Sequence, residues 1–268
     1  MKALIGIIQE HIGFRKQIFK LAKADIIRTF KGAALGWAWA LIKPGVQIFV
    51  FWFAFAVGMR SGKPVDGYPF FIWMVAGLVP WFYVSDMLTF GTNSIRTYHY
   101  LVTKMKFPVS TIPTFVSISN LIINLGITVI IIITYVCMGF KIDIYFLQLP
   151  IYTLLMFMFF TTMSLLFAPL CAMSKDFGNL VKSMITALFW LSGVIWNADK
   201  VSNIWIKRFL NVNPITYICN GYRNCFIYKK WIWEQDRKFL YFAVIFLIMF
   251  PLAVHIYKKL RKEIPDVL

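Results

Sequence analysis

Hydrophobic positions run together along this chain rather than alternating with polar ones. A helix needs about 20 apolar residues to cross the hydrocarbon core of a bilayer. Uncharged or nearly uncharged runs of that order cover about residues 35–58, 70–91, 114–138, 149–173, 180–196 and 239–257. Arg60-Ser61-Gly62-Lys63-Pro64 joins the first two as a short hairpin, and Lys141 with Asp143 marks the turn between the third and fourth. The third run is rich in Ile and Val, with Asn120 and Asn124 as its strongly polar groups, and the fifth is short unless Lys182 reaches out to the interface. The pattern predicts an all-α integral membrane protein, residues 1–268 forming one domain with six transmembrane helices.

Two segments break the pattern. Residues 1–33 mix apolar and basic positions and show neither the apolar core nor the cleavage site of a signal peptide. At about 100° per residue, Phe14, Ile18, Leu21 and Ala22 share one face while Lys16, Lys20 and Lys23 share another, which predicts an amphipathic helix in the headgroup plane. It is read either as an anchor on anionic lipid or as a helix that also touches a cytoplasmic partner. Residues 201–228 are too polar to span and too apolar for a plain loop. Asn213-Pro214 divides them into two helix-length pieces, predicted as short re-entrant helices that dip into the outer leaflet and return.

Composition agrees with a polytopic protein: 60% of the 268 residues are hydrophobic and 15% charged, against about 25% charged in a soluble domain. The net charge of +17 raises nucleic acid as a partner until the bases are located, because they flank the apolar runs. Residues 1–33, 93–108, 174–182 and 258–268 together hold sixteen Lys and Arg, whereas the two short opposite loops hold three. Positive residues resist translocation, so both termini are expected in the cytoplasm of a multi-pass protein. Residues 197–238, with eight bases, then face outward against the rule.

Candidate chemistry narrows the function by what is missing. Asp86, His255 and Lys43 lie near span ends, and nothing resembles a proton relay through the midplane. No G-x-x-x-x-G-K-[ST] loop, H-E-x-x-H, C-x-x-C or G-x-S-x-G occurs, so neither nucleotide hydrolysis nor metal or serine chemistry is expected in this chain, and it needs no cofactor of its own. Cys137 and Cys171 read as small hydrophobes, as do Cys219 and Cys225, which are able to pair if close and exposed to oxidant. Between the second and third spans, Asn93-Ser94-Ile95-Arg96 leads into residues 101–108, a mixed segment that suits either a solvated turn or a small helix inserted into another protein.

These motifs together resemble the type-2 permease subunits of ATP-binding cassette exporters for polysaccharides and teichoic acids. The resemblance covers essentially the whole chain. Leu35-Gly36-Trp37-Ala38-Trp39-Ala40-Leu41 before Pro44 looks like the start of that group's first span, and Ala76-Gly77-Leu78-Val79-Pro80-Trp81-Phe82 like its second-span signature. Asn93-Ser94-Ile95 through Lys106-Phe107-Pro108 is similar to its coupling-helix region. Asn213-Pro214-Ile215, Gly221-Tyr222-Arg223-Asn224 and the run from Phe226 to Trp233 look most like the teichoic acid branch. The sequence departs from the group at Gly193, where Pro is usual.

The resemblance implies a permease of the bacterial cytoplasmic membrane that pairs with a second copy of itself and with two copies of a cytoplasmic ATPase subunit, which binds ATP and Mg. Arg96, Lys104, Met105, Lys106 and Phe107, with Lys16, Lys20 and Lys23 of the N-terminal helix, are expected to rest on that ATPase. Tyr217, Tyr222, Arg223, Trp37 and Trp81 are expected along the outer gate or the passage. The cargo implied is teichoic acid on a polyprenyl diphosphate lipid, moved along aromatic side chains at the dimer interface. A capsule or O-antigen permease is the alternative within the class, and a membrane-embedded lipid-linked transferase the alternative outside it.

Overall fold

The computed structural model describes residues 2–59, 62–105, 107–197 and 201–267. Arg60, Ser61, Lys106 and Lys200, which enter the sequence argument, lie outside the described residues. Among the described residues the fold is helical, its one β-type contact being the bridge between Val65 and Tyr68. Between them Asp66 and Gly67 both have positive φ, 49° and 80°, a mirror-image turn that suits Asp-Gly and closes the hairpin between the first two apolar helices.

In chain order the helices are α1 (Lys2–Gly13), α2 (Arg15–Phe30), α3 (Trp39–Trp52), α4 (Phe70–Asp86), α5 (Thr92–Thr97), α6 (His99–Thr103), α7 (Thr111–Cys137), α8 (Leu149–Met173), α9 (Lys175–Leu191), α10 (Ile204–Val212), α11 (Pro214–Arg223), α12 (Asp236–Leu260) and α13 (Ile264–Val267). A π-helical turn extends α3 to Gly58, and another, Met87–Gly91, carries α4 on into α5. Five continuous helical stretches among the described residues are long and apolar enough to cross a membrane: Gly36–Gly58, Phe70–Thr103, Thr111–Cys137, Ile144–Met173 and Arg237–Leu260.

Three expectations change here. The second apolar helix does not stop at residue 91 but runs to Thr103, so Asn93 to Arg96 are helical rather than the start of a loop. The expected fifth span begins earlier and ends sooner, as α9, whose 17 residues reach about 26 Å at 1.5 Å per residue. The N-terminal segment is two helices that meet at Phe14, not one. The apolar face of α2, Ile18, Ala22, Ile26 and Phe30, follows a four-residue repeat and is buried, with α2 lying along α7.

Two apolar clusters hold the fold. The larger centres on α4, all of whose residues 72–84 are buried, and gathers side chains from α7, α8, α11 and the turn after α9. Asn124 of α7 ties into it by donating to the Val79 carbonyl of α4 at 2.8 Å, whereas Asn120 donates within its own helix to Val116. The smaller lies at one end of the bundle and joins Ile7, Ile18 and Ala22 to Leu101, Val102, Ile112, Ala172, Tyr257 and Ile264.

Candidate functional site

The end of the bundle that carries the smaller cluster presents the segment expected to meet a partner. Tyr98, Leu101 and Val102 turn inward while Tyr100, Thr103, Lys104 and Met105 stay exposed, so α6 shows the bundle one face and solvent the other. Phe107 is half-buried and meets the Phe14 ring edge-on at 5.4 Å. Arg96 is engaged elsewhere: its guanidinium donates to the Cys171 carbonyl at 3.2 Å, at the C-terminal turn of α8, where backbone carbonyls lack helical partners. Lys104 and Met105 thus sit together on a free surface, and Arg96 sits behind them. Lys16, Lys20 and Lys23 are exposed on α2, with Phe19 between them.

Two carboxylates fasten the N-terminal helices to this layer. Asp25 accepts from the hydroxyls of Tyr98 and Ser119, and Arg28 lies over the Tyr98 ring at 5.1 Å. Glu10 accepts from Ser110 and pairs with Arg261 at 3.4 Å. Because Tyr98 stands immediately before α6, the exposed surface and the N-terminal helices are joined through one hydrogen bond. The signal for this in the sequence is the rarity of acids: Glu10 and Asp25 are the only two in residues 1–33.

At the opposite end, Asn203 caps α10 by accepting from the amides of Trp205 and Ile206. Asn213 accepts from the Ile215 amide and donates to Ser192, and Pro214 stands at the first position of α11, where its missing N–H costs nothing. The division at Asn213-Pro214 is therefore where the sequence puts it. α10 and α11 have 9 and 10 residues, too few to span, and the residues of α11 from Ile215 to Arg223 are all buried against α4, α8 and α12.

Arg223, expected to face the outer passage, is 1% exposed and turned inward. It donates to the carbonyls of Trp73, Gly193 and Val194 and to the Asn220 side chain, and its guanidinium lies 3.8 Å above the Trp73 ring. Two glycines make this possible. A Cβ on Gly77 would stand 2.3 Å from the guanidinium, and Gly193 has φ +62°, which proline cannot adopt. The departure from the family pattern at Gly193 thus has a structural reason: the turn it makes ends α9 and aims two carbonyls at Arg223. Tyr222 is buried with its hydroxyl 2.8 Å from Thr153, and Tyr217 is buried among Tyr152, Phe239 and Phe242. Trp81 is buried against Phe189, whereas Trp37 is 58% exposed beside Phe30. The five residues expected to line a passage are not brought together.

Several further bases of residues 197–238 are engaged with the protein itself. Lys229 pairs with Asp143 at 2.7 Å, inside rings of Tyr68, Tyr135 and Phe146 at 5.2–5.9 Å, and Arg208 stacks on Trp205. Lys230, Arg237 and Lys238 line a polar cup of about 560 Å³ between the α4 hairpin, α11 and the start of α12. Cys219 and Cys225 are free, and burial pushes both thiols up to about 12, so they stay protonated and inert. Lys43 and Asp86, read as separate groups near interfaces, face one another at 3.9 Å across a groove between α3 and α4. No group of His, Cys, Asp or Glu among the described residues is arranged to hold a metal ion.

The chain is thus a helical bundle with a mixed exposed surface at one end and, at the other, two short helices of which α11 is buried and α10 largely exposed. The chain belongs to the ABC-2 type transporter family, whose model matches residues 16–227. It is 22% identical to the O-antigen export system permease protein RfbA of Myxococcus xanthus over 267 residues, which cover 98% of this chain and 99% of that protein. It is also 22% identical to the protein of the same name from Klebsiella pneumoniae, with 92% and 93% covered. ABC-2 permeases work with an ATP-binding cassette subunit, so this chain is a multi-pass transporter subunit and not itself an enzyme.

Proposed function

We propose that this chain is the membrane-spanning subunit of an ATP-driven exporter that moves a polysaccharide of the O-antigen kind, carried on polyprenyl diphosphate, across the bacterial cytoplasmic membrane. The observation that carries this reading is likeness along nearly the whole length of two O-antigen permeases, with no large part of either left unmatched. The teichoic acid reading rests on the Asn213-Pro214-Ile215 and Gly221–Asn224 motifs and is kept as the second.

In this reading α9 and the turn after it make the fifth of six crossings, both termini are cytoplasmic, and α10 and α11 are re-entrant. Its support is partly depth: α11 packs against Gly77, about 10 Å along α4 from Phe70 at 1.5 Å per residue. α1 and α2 lie at the inner interface, where Ile5, Ile8 and Ile12 of α1 are exposed and Phe19 of α2 is exposed among Lys16, Lys20 and Lys23, as an interfacial helix requires. Lys104 and Met105 meet the ATPase, which binds ATP and Mg. A homodimer is favoured by α3 and α9, joined through Phe51 and Phe189 at 5.1 Å, which both leave wide apolar faces uncovered.

Deleting the gene in its host tests the reading. Surface polymer is expected to vanish while lipid-linked polymer accumulates inside, and chemical analysis for sugar or polyol phosphate separates the two cargo readings. The chain with Lys104→Ala and Met105→Ala is expected to retain less ATPase on affinity purification. A deletion strain with undiminished surface polysaccharide and teichoic acid overturns the proposal.

A further inference from the structure

The polar cup at the end remote from α1 and α2 is not explained by the transport machinery described above. It opens where α12 begins, about 30 Å along that helix, at 1.5 Å per residue, from Tyr257 of the smaller cluster. Its volume of about 560 Å³ falls inside the range of about 300–1,000 Å³ that ligand pockets occupy. Its lining is unusual for a membrane protein surface: the amides of Asn197, Asn220, Asn224 and Gln235 stand among charges of both signs, including Glu234 and Arg237.

Two of these amides are rooted in the fold. Asn220 is 8% exposed and turns its carbonyl oxygen to Arg223, so the amide nitrogen is its remaining polar group. Asn224 is 3% exposed, and its side chain lies beside the Tyr152 hydroxyl of α8, which holds it in place under the cup. An amide offers both donors and an acceptor, and a carboxylate offers acceptors only. Mixed in one cup, they match a ligand whose groups are each donor and acceptor, which is the chemistry of vicinal hydroxyls. Lys230, Arg237 and Lys238 line the same cup against Glu234 and Asp66, so its charges nearly balance.

We propose that this cup is a saccharide-binding subsite that takes a sugar unit of the exported polymer on the far side of the permease. The proposal rests on the polysaccharide-export reading and deepens it by naming where the polymer is held. Residues 231–235 supply a second element: Trp231 and Trp233 stack face to face at 4.6 Å beside Glu234, and Trp233 is 60% exposed. An exposed indole face is the surface on which the apolar side of a sugar ring packs.

The test uses the full-length chain in nanodiscs together with its ATPase. The probe is the host's own surface polymer, released from its lipid by mild acid, with a glycerol-phosphate oligomer as anionic competitor. Wild type is expected to bind the polymer, and the chain with Glu234→Gln and Gln235→Ala to bind it about ten-fold more weakly, the loss of one to two hydrogen bonds. Both side chains lie at the rim, so the fold tolerates the change, and unchanged thermal stability checks that. Equal binding by both proteins, or none by either, overturns the subsite. Displacement by the glycerol-phosphate oligomer as effective as by the polymer overturns recognition of the sugar ring. Export is scored separately by restoring surface polymer in the deletion strain. Its failure there counts against the export reading and not against the cup.

Discussion

α3 and α4 follow one another through a tight turn and are both apolar enough to cross a membrane, the first being if anything the more apolar. Their surroundings are opposite. No residue of α3 or of its π-helical extension is buried, and Val46, Phe49, Val50 and Phe53 are each more than half exposed. α4 is enclosed over residues 72–84, and its carbonyls and rings hold Arg223, Asn124 and Tyr228. The difference teaches that α4 is the post around which this protomer is built, while α3 is a wall whose outer side must meet lipid or another protein. Glycines mark the contrast: Gly77 of α4 touches a guanidinium, and Gly45 of α3 has open space around it.

That pair gives the sharpest way to break the comparison. Gly77→Ala pushes a methyl into the Arg223 guanidinium and leaves a buried charge without its carbonyls, which is expected to cost about 3–5 kcal/mol, seen as collapsed yield and a lower midpoint in thermal unfolding. Gly45→Ala, the same change on α3, is expected to leave stability unchanged or raise it by up to about 1 kcal/mol. Equal losses at both sites would remove the distinction between post and wall. Next in size is Gly221→Ala, whose methyl would stand 2.3 Å from the Tyr152 ring. Overpacking there is expected to cost about 1–3 kcal/mol, read by the same melt.

A third experiment sharpens what covers α3. With Cys137, the exposed cysteine, replaced by Ser, a cysteine at Phe49 is expected to give disulfide-linked dimers on mild oxidation in membranes, and one at Val75 of α4 none. Monomer throughout at Phe49 would leave α3 to lipid. The smallest effect is expected at the groove between the two helices. Lys43→Ala removes an ion pair of 3.9 Å whose lysine is 72% exposed, and the change in stability is expected below about 1 kcal/mol.

Much of the architecture was legible in the sequence. The fourth apolar run, 149–173, is α8 to the residue, and the third differs from α7 by three residues at its start and one at its end. Asn213-Pro214 announced the break between α10 and α11 because a capping amide followed by proline has few other uses. Lys104 and Met105 are exposed, as either reading of the mixed segment requires. The site at the other end was less legible. Arg223 and Tyr222 were expected along the outer gate or the passage, and the structure buries both. The burial of Arg223 depends on three carbonyls and two glycines far apart in the chain, which no local pattern announces.

The sequence by itself determined which stretches are apolar enough for a bilayer, where they stop, and which ends carry the bases, since each of these depends on the residues within one segment. Only the tertiary structure decided which helix stands at the centre, which is left uncovered, and that Arg223 turns inward. Lipid tails are as apolar as leucine, so a helix facing lipid and a helix facing protein obey the same composition. What tells them apart is the close approach of backbones and the pairing of a few polar groups across the bundle, and those exist only once the helices have packed.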